Sequence, residues 1–382
     1  MIVFAIGLVL LGMYFFLIRF YHRSWKRVPA FSIEAIDDFF PSEKISVIVP
    51  ARNEEEVIEL CIQSLLQQSY PKELLEIIIA DDHSTDGTAE IVRRYQEQGV
   101  QLLSLKNQAT GVRPVRTAYK KMAITAAIRQ SSGSLVITTD ADCTFPEDWV
   151  KTVAAFHQYS KAVFIVSPVR MRPDSTVLSV FQSMDFTILQ GITAASVYVR
   201  FHKMCNGANL AYEKTAFWGV SGFDNIDHIA SGDDMLLMEK IADKYPDGIA
   251  YLHSTEAMVE TRPVATWKDF FNQRIRWASK TRIYKDKRLT WVMALIYLVN
   301  LGLFILLTGS VFQLNRLLFF VVGLIIKVLI EWRFVKEVST YFNLSGWMKW
   351  FPVFQPLHIV YTVVAGFLGL IGRYEWKGRR VR

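Results

Sequence analysis

Leu135-Val-Ile-Thr-Thr-Asp-Ala-Asp142 is the stretch on which the fold turns. Leu135–Thr139 reads as a short strand that runs directly into two carboxylates, Asp140 and Asp142. In extended backbone, residues two apart point to the same side. The same arrangement recurs upstream. Ile45-Ser-Val-Ile-Val-Pro50 leads into Ala51-Arg-Asn-Glu54, and Leu75–Ala80 leads into Asp81-Asp-His83. Helical spacing separates these strands. Glu54–Gln68 carries Val57, Leu60, Cys61, Ser64 and Leu65 on one face, Ser84–Glu97 follows capping side chains in Asp82–Asp86, and Lys120–Gln130 forms a third helix. Strands alternating with helices predict an α/β fold with a mostly parallel sheet. Ligands of such sheets sit beyond the carboxyl ends of the strands, where all three polar loops would meet.

The chain has 382 residues, 51% of them hydrophobic and 21% charged, with a net charge of +7. The basic residues gather beside oily segments, where anionic lipid head groups attract them, so nucleic acid is not the expected partner. Cys61, Cys143 and Cys205 lie far apart, which excludes a disulfide framework and fits a reducing compartment. The sequence contains neither GxGxxG nor GxxxxGK[ST], so a dinucleotide fold and a P-loop are disfavoured. Phosphates would then be held by a divalent metal on carboxylates. Mg²⁺ or Mn²⁺ suits hard oxygen ligands and shares its coordination sphere with waters and substrate phosphates.

Oily segments flank the polar centre. Ile2–Ile18 is unbroken, and Arg19, Arg23, Lys26 and Arg27 follow it. This predicts an uncleaved anchor with the next domain in the cytosol. A second oily region is interrupted by Gln313, Asn315 and Arg316, giving a hairpin of two spans, Trp291–Phe312 and Leu317–Trp332. Lys327 and Glu331 lie four apart on the second of these and read as a local ion pair near the interface. Phe351–Gly372 would make a fourth span. That count leaves the basic tail Arg373–Arg382 outside, against the positive-inside rule, and Pro352 and Pro356 make the last segment a candidate for a re-entrant or interfacial one. The resulting division is 1–21 anchor, 22–43 juxtamembrane linker, 44–264 cytosolic catalytic domain, 265–290 amphipathic interfacial helix, 291–372 transmembrane region and 373–382 basic tail.

Three further stretches carry candidate chemistry. Ser231-Gly-Asp-Asp234 opens an apolar-periodic helix, and its acids are either N-caps or a general base for an acceptor hydroxyl. Gln273-Arg-Ile-Arg-Trp277 lies in Trp267–Lys280, an amphipathic helix expected on a membrane surface. It is either that anchor alone or a place where Arg276 and Trp277 close over a diphosphate and an acceptor. Asn206-Gly-Ala-Asn-Leu-Ala-Tyr212 is a loop entering an element, or part of an acceptor site.

Together these motifs resemble the family 2 glycosyltransferases, the inverting group with the GT-A fold. The matching pieces run in the family's order from Ile45 to Trp277: Val49-Pro-Ala-Arg-Asn-Glu54, Asp81-Asp-His-Ser-Thr-Asp-Gly87, Asp140-Ala-Asp142, Gly207-Ala-Asn209, Ser231-Gly-Asp-Asp234 and Gln273-Arg-Ile-Arg-Trp277. Trp376-Lys-Gly-Arg379 is similar to the ending of members that glycosylate lipids. The resemblance implies a UDP- or GDP-linked donor and a lipid or polysaccharide acceptor. It also implies a bacterial cell membrane with the catalytic domain on its cytoplasmic face. Pro50, Arg52 and Glu54 would flank the nucleotide, and Asp82 would contact its base. Asp140 would lie near the ribose and share the metal with Asp142. Asp234 matches the catalytic base, with Asp233, Asn209 and Gln273 on the acceptor side, and Arg276 and Trp277 at the donor. The family's Gly-Lys is replaced by Tyr119-Lys-Lys121, where Lys121 is taken as the donor lysine. The family's usual Glu-Asp is Asp233-Asp234 here. A processive polysaccharide synthase, or a non-catalytic scaffold with a degenerate domain, are the alternatives.

Overall fold

The computed structural model describes residues 2–36, 39–107, 118–229, 231–371, 374–376 and 379–381. Two compact units emerge. One comprises Val28–Arg172 and Lys203–Arg262; the other comprises Met1–Arg27, Pro173–His202 and Pro263–Arg382. Elements are numbered along the chain.

The first unit is built on strands β1 (Ile45–Ala51), β2 (Leu75–Asp81), β3 (Val100–Ser104), β4 (Leu135–Thr138), β5 (Phe164–Val166), β7 (Leu210–Glu213) and β8 (Ile249–Tyr251). They form one sheet in the order β3-β2-β1-β4-β7-β5-β8. β7 runs antiparallel to β4 and β5, and the other pairings are parallel. This is the expected mostly parallel mixed sheet. β1 lies inside it because Ile45, Val47, Ile48 and Val49 can all be buried to 0% exposure. A side chain of that kind contributes roughly 1.5–3 kcal/mol on full burial. Gly133 makes the approach of β4 to β1 feasible, since a Cβ there would lie 2.6 Å from the Ser46 nitrogen. A two-stranded parallel sheet, β6 (Val169–Met171) with β9 (Val259–Thr261), is joined through Thr144, which exchanges backbone hydrogen bonds with Glu260 at 2.9 and 3.0 Å. The helices of this unit are α2 (Ile58–Leu66), α3 (Thr88–Arg93), α4 (Tyr119–Gln130), α5 (Trp149–Ser160), α7 (Lys214–Gly219) and α8 (Met235–Lys244).

The second unit is helical: α1 (Ile2–Trp25), α6 (Val177–Tyr198), α9 (Trp267–Ser279), α10 (Lys287–Gly309), α11 (Asn315–Tyr341) and α12 (Phe351–Ile371), with a terminal hairpin β10 (Tyr374–Trp376) and β11 (Arg379–Val381). Helix α6 falls within the stretch the sequence assigns to the catalytic domain, yet it groups with this unit. Among the described residues three helices are long and apolar enough to cross a bilayer: Ile6–Trp25, Lys287–Gly309 and Ser345–Ile371. Helix α11 is 27 residues long but carries Arg316, Lys327, Glu331 and Arg333. Lys327 and Glu331 do form the expected local ion pair, and it is buried inside the helical unit. Lys327 is 0% exposed, 2.6 Å from Glu331 Oε1, and donates to Gln355 Oε1 of α12 at 2.5 Å. Gln355 donates on to Glu331 Oε2 at 3.0 Å, and the Tyr14 hydroxyl of α1 also donates to Glu331. The prolines do not break α12. Pro352 sits in its first turn, and Pro356 removes only the bond to the Pro352 carbonyl. In the basic tail, residues 372–373, 377–378 and 382 lie outside the described residues.

Candidate active site

Parallel pairing of β2, β1 and β4 brings their carboxyl ends to one rim, with Ala51 beside Asp81 and Ile48 beside Thr138. The first two rim loops are stitched to each other. Arg52 Nη1 donates to the Asp82 carbonyl at 2.8 Å and lies 3.7 Å from its carboxylate. Asn53, in the left-handed region at φ 51°, accepts from the Thr85 N–H at 2.8 Å, and the Glu54 N–H donates to Thr88 Oγ1 at 2.8 Å. Asp82 also pairs with His83 Nδ1 at 3.0 Å. Arg52, Glu54 and Asp82 therefore belong to one stitched loop pair, and Pro50 precedes it at the end of β1.

The third loop begins where β4 ends. Buried Thr139 donates to the Ala208 carbonyl at 2.7 Å, drawing the 206–209 loop to the rim. Asp142 accepts from Thr261 Oγ1 of β9 at 3.2 Å, and the Cys143 thiol approaches its other oxygen at 3.6 Å. Burial and the neighbouring Asp142 and Asp140 charges push the Cys143 thiol well up, so it stays protonated.

Lys120 joins the third loop to the fourth. Its ammonium is 2.7 Å from Asp140 Oδ1 and 2.9 Å from Asp233 Oδ2. Burial works against the charge, but the two carboxylates more than offset it and hold the pKa above the ordinary lysine value. A Cβ on Gly207 would stand 3.5 Å from Asp233 Oδ2, 3.6 Å from Asp234 Cβ and 3.6 Å from Lys120 Nζ. Asp140, Lys120, Gly207, Asp233 and Asp234 thus share one place. Asp234 is also the N-cap of α8, where it accepts from the Met235 N–H at 2.7 Å, so the capping role and the site location coexist.

Two sequence-predicted side chains are turned to interior bonds. Lys121 is 2% exposed, and its ammonium donates to the Ile226 and Ile229 carbonyls at 2.7 and 3.0 Å, holding that turn. The lysine at the rim is Lys120. Helix phase was the missed signal: Lys121 shares its face with Ile124 and Ile128, both buried. Asn209 is 1% exposed and acts as a bracket. It donates to the Pro168 and Ala257 carbonyls, both at 2.8 Å, and accepts from Trp149 Nε1 at 3.0 Å. Gln273, Arg276 and Trp277 lie on α9 of the helical unit.

Among the described residues no group of three or more His, Cys, Asp or Glu is gathered for a metal. The chain offers Asp140 and Asp142, two hard-oxygen donors on one loop. That set fits Mg²⁺ or Mn²⁺, which completes its shell with substrate phosphates and water, and does not fit a closed structural zinc site.

Residues 46–218 match glycosyl transferase family 2, and residues 135–369 match glycosyl transferase family group 2. The chain is 27% identical over 242 residues to "probable glycosyltransferase YdaM" of Bacillus subtilis, covering 62% of this chain and 54% of that protein. It is 27% identical over 211 residues to "glycosyltransferase AglE" of Haloferax volcanii, covering 52% and 61%. The matched regions thus span about half to three-fifths of these relatives. A mannosyltransferase from Pyrobaculum calidifontis, solved with GDP-Man and Mn²⁺, superposes with a TM-score of 0.61 at 18% identity over 96% of both chains, a likeness of fold.

Proposed function

The chain belongs to the family 2 glycosyltransferases, and from that premise we propose that it is an inverting, metal-dependent enzyme moving one sugar from a nucleotide-sugar donor to a membrane-associated lipid acceptor. The observation that carries this reading is the meeting of Asp140, Lys120, Gly207, Asp233 and Asp234 at one sheet rim. The acceptor hydroxyl gives its proton to Asp234 as its oxygen attacks the anomeric carbon. The bond to the nucleoside diphosphate breaks on the opposite face, and the sugar configuration inverts. Lys120, held charged between Asp140 and Asp233, offers a cation to the departing diphosphate. Asp140 and Asp142 would hold the metal, which when bound neutralises diphosphate charge. Pro50, Arg52, Glu54 and Asp82 take the nucleoside, a uridine or guanosine, and the family resemblance of the motif assigns Arg276 and Trp277 to donor binding and Gln273 to the acceptor.

A lipid acceptor is supported by the helical unit's outward apolar side chains. Val9 and Phe16 on α1 and Trp291 on α10 are 62, 70 and 74% exposed, which suits contact with lipid. The basic residues Arg19, Arg23, Lys26 and Arg27, in the last part of α1 and just after it, favour the cytoplasmic face of the membrane for the catalytic unit. The test is a panel of UDP- and GDP-sugars with Mn²⁺. One of them should stabilise the purified protein thermally and release its nucleotide in an EDTA-sensitive way. Nucleotide release indifferent to EDTA for every donor would remove the metal from this reading.

A further inference from the structure

Helix α9 carries the Gln273-Arg-Ile-Arg-Trp277 motif, and its second residue, Arg274, is the buried one. Arg274 is 4% exposed. Its guanidinium lies between two aromatic rings of its own helix, 4.9 Å from the Phe270 centroid and 4.3 Å from that of Trp277. These residues are four before and three after Arg274, so the helix itself stacks them. Nη2 is 2.8 Å from Asp185 Oδ2 on α6. That contact lies outside hydrogen-bond alignment, so charge attraction holds it. The other Asp185 oxygen accepts from the Tyr361 hydroxyl of α12 at 2.5 Å. The Tyr361 ring then packs edge-on against Phe270 at 5.3 Å, closing the circuit.

The rest of α9 is fastened as tightly. Ahead of its first turn, Gln182 of α6 exchanges two hydrogen bonds with the Val264 backbone, 2.9 and 3.2 Å long. A Cβ on Gly369 of α12 would lie 2.7 Å from Ala278 Cβ. A membrane unit with its own apolar contacts needs no buried ion pair to hold α9, since an apolar replacement of such a pair is often neutral or stabilising. What an apolar side chain cannot reproduce is a flat cation stacked on an indole.

We propose that Arg274, braced by Asp185 and Tyr361, is a positioning residue that fixes the plane of the Trp277 ring for sugar transfer. This rests on the reading of Trp277 as part of the donor site. Lysine in place of Arg274 keeps the charge near Asp185 but loses the planar face, so Trp277 is freed while the ion pair survives.

The experiment is a double-mutant cycle in the full-length protein, with Arg274→Lys, Trp277→Leu and both together, read by kcat, donor KM and Tm. Each single change is expected to lower kcat at least tenfold. The double variant should fall no further than Trp277→Leu alone, and Arg274→Lys should melt close to wild type. Additive losses, or an unaffected Arg274→Lys, would overturn the positioning role and leave Trp277 in the donor site. Unchanged kcat in Trp277→Leu would instead overturn the reading of Trp277, and this proposal with it. If Arg274→Lys does not fold, Tyr361→Phe takes its place in the same cycle, because it keeps the ring packing and removes only the brace on Asp185.

Discussion

Lys120 and Lys327 each meet a carboxylate at close range, 2.7 Å from Asp140 and 2.6 Å from Glu331, but their surroundings differ. At the sheet rim the partners stay partly open, with side chains 22% exposed for Lys120 and 37% for Asp140. The pair bridges two loops and is free to be remade around an incoming anion. In the helical unit Lys327 is sealed at 0% exposure, and Gln355 and Tyr14 complete the hydrogen bonding of Glu331. A satisfied buried network rigidifies, whereas an open one can exchange partners. Substitutions at the rim should therefore be read in turnover, and substitutions in the bundle in stability.

The largest effect should come from Asp234→Asn. Removing a general base costs about 10²–10⁴-fold in kcat, while the asparagine oxygen can still accept from the Met235 N–H and keep α8 capped. A Tm near wild type with turnover lost is the expected pair of results; near-normal turnover takes Asp234 out of the base role. Next is Lys327→Met, which strands Glu331 in the bundle and should cost about 3–5 kcal/mol in detergent unfolding. Adding Glu331→Leu should recover much of that stability. A small cost for the single change would mean that water reaches the network, and the contrast between the two lysines would collapse. Lys120→Met sharpens the comparison from the other side. It should raise donor KM by roughly tenfold or more, the loss of a charge-assisted contact worth about 1.5–3 kcal/mol. Its stability cost should be smaller than that of Lys327→Met, because Asp140 keeps 37% of its side chain open to water.

The smallest expected effect lies at the other end of the strands. His157 of α5 sits 2.8 Å from Glu43 and 3.4 Å from Glu213. Burial opposes its charge, but the hydrogen bond and charge of Glu43, followed by those of Glu213, raise its pKa overall. A raised folded-state pKa adds stability that is fully present below the unfolded value, about 6.5, and is lost as pH rises through the folded one. Tm should decline as pH rises from about 6 to about 8, and more shallowly in His157→Gln. Equal slopes would assign the decline to other groups.

Much of the rim was legible because its signals are local. A β-branched run ending in Asp140-Ala-Asp142, and two earlier runs ending in polar loops, state their own strand ends. Parallel pairing then needs no further information to gather them. The lysine was legible only in part. Periodicity puts Lys121 with Ile124 and Ile128, but a motif match alone does not separate neighbours that a helix turns about 100° apart. Asn209 gave no such signal, since three of its hydrogen bonds reach Trp149, Pro168 and Ala257, all at least 41 positions away. The grouping of α6 with the helical unit was hidden too, because an apolar helix inside a catalytic stretch looks the same whichever unit covers it.

What the sequence by itself determined is the α/β class, the first strand–helix units with their polar rim loops, the family and the oily segments, all written in spacing and composition over a few residues. The tertiary structure alone decided that β7 inserts antiparallel between β4 and β5, that Lys120 bridges Asp140 and Asp233, and that Lys327 is sealed from solvent by α12 and α1 partners. The physical reason is range: propensity and periodicity act between near neighbours, whereas burial and charge pairing depend on which distant segments fold against each other.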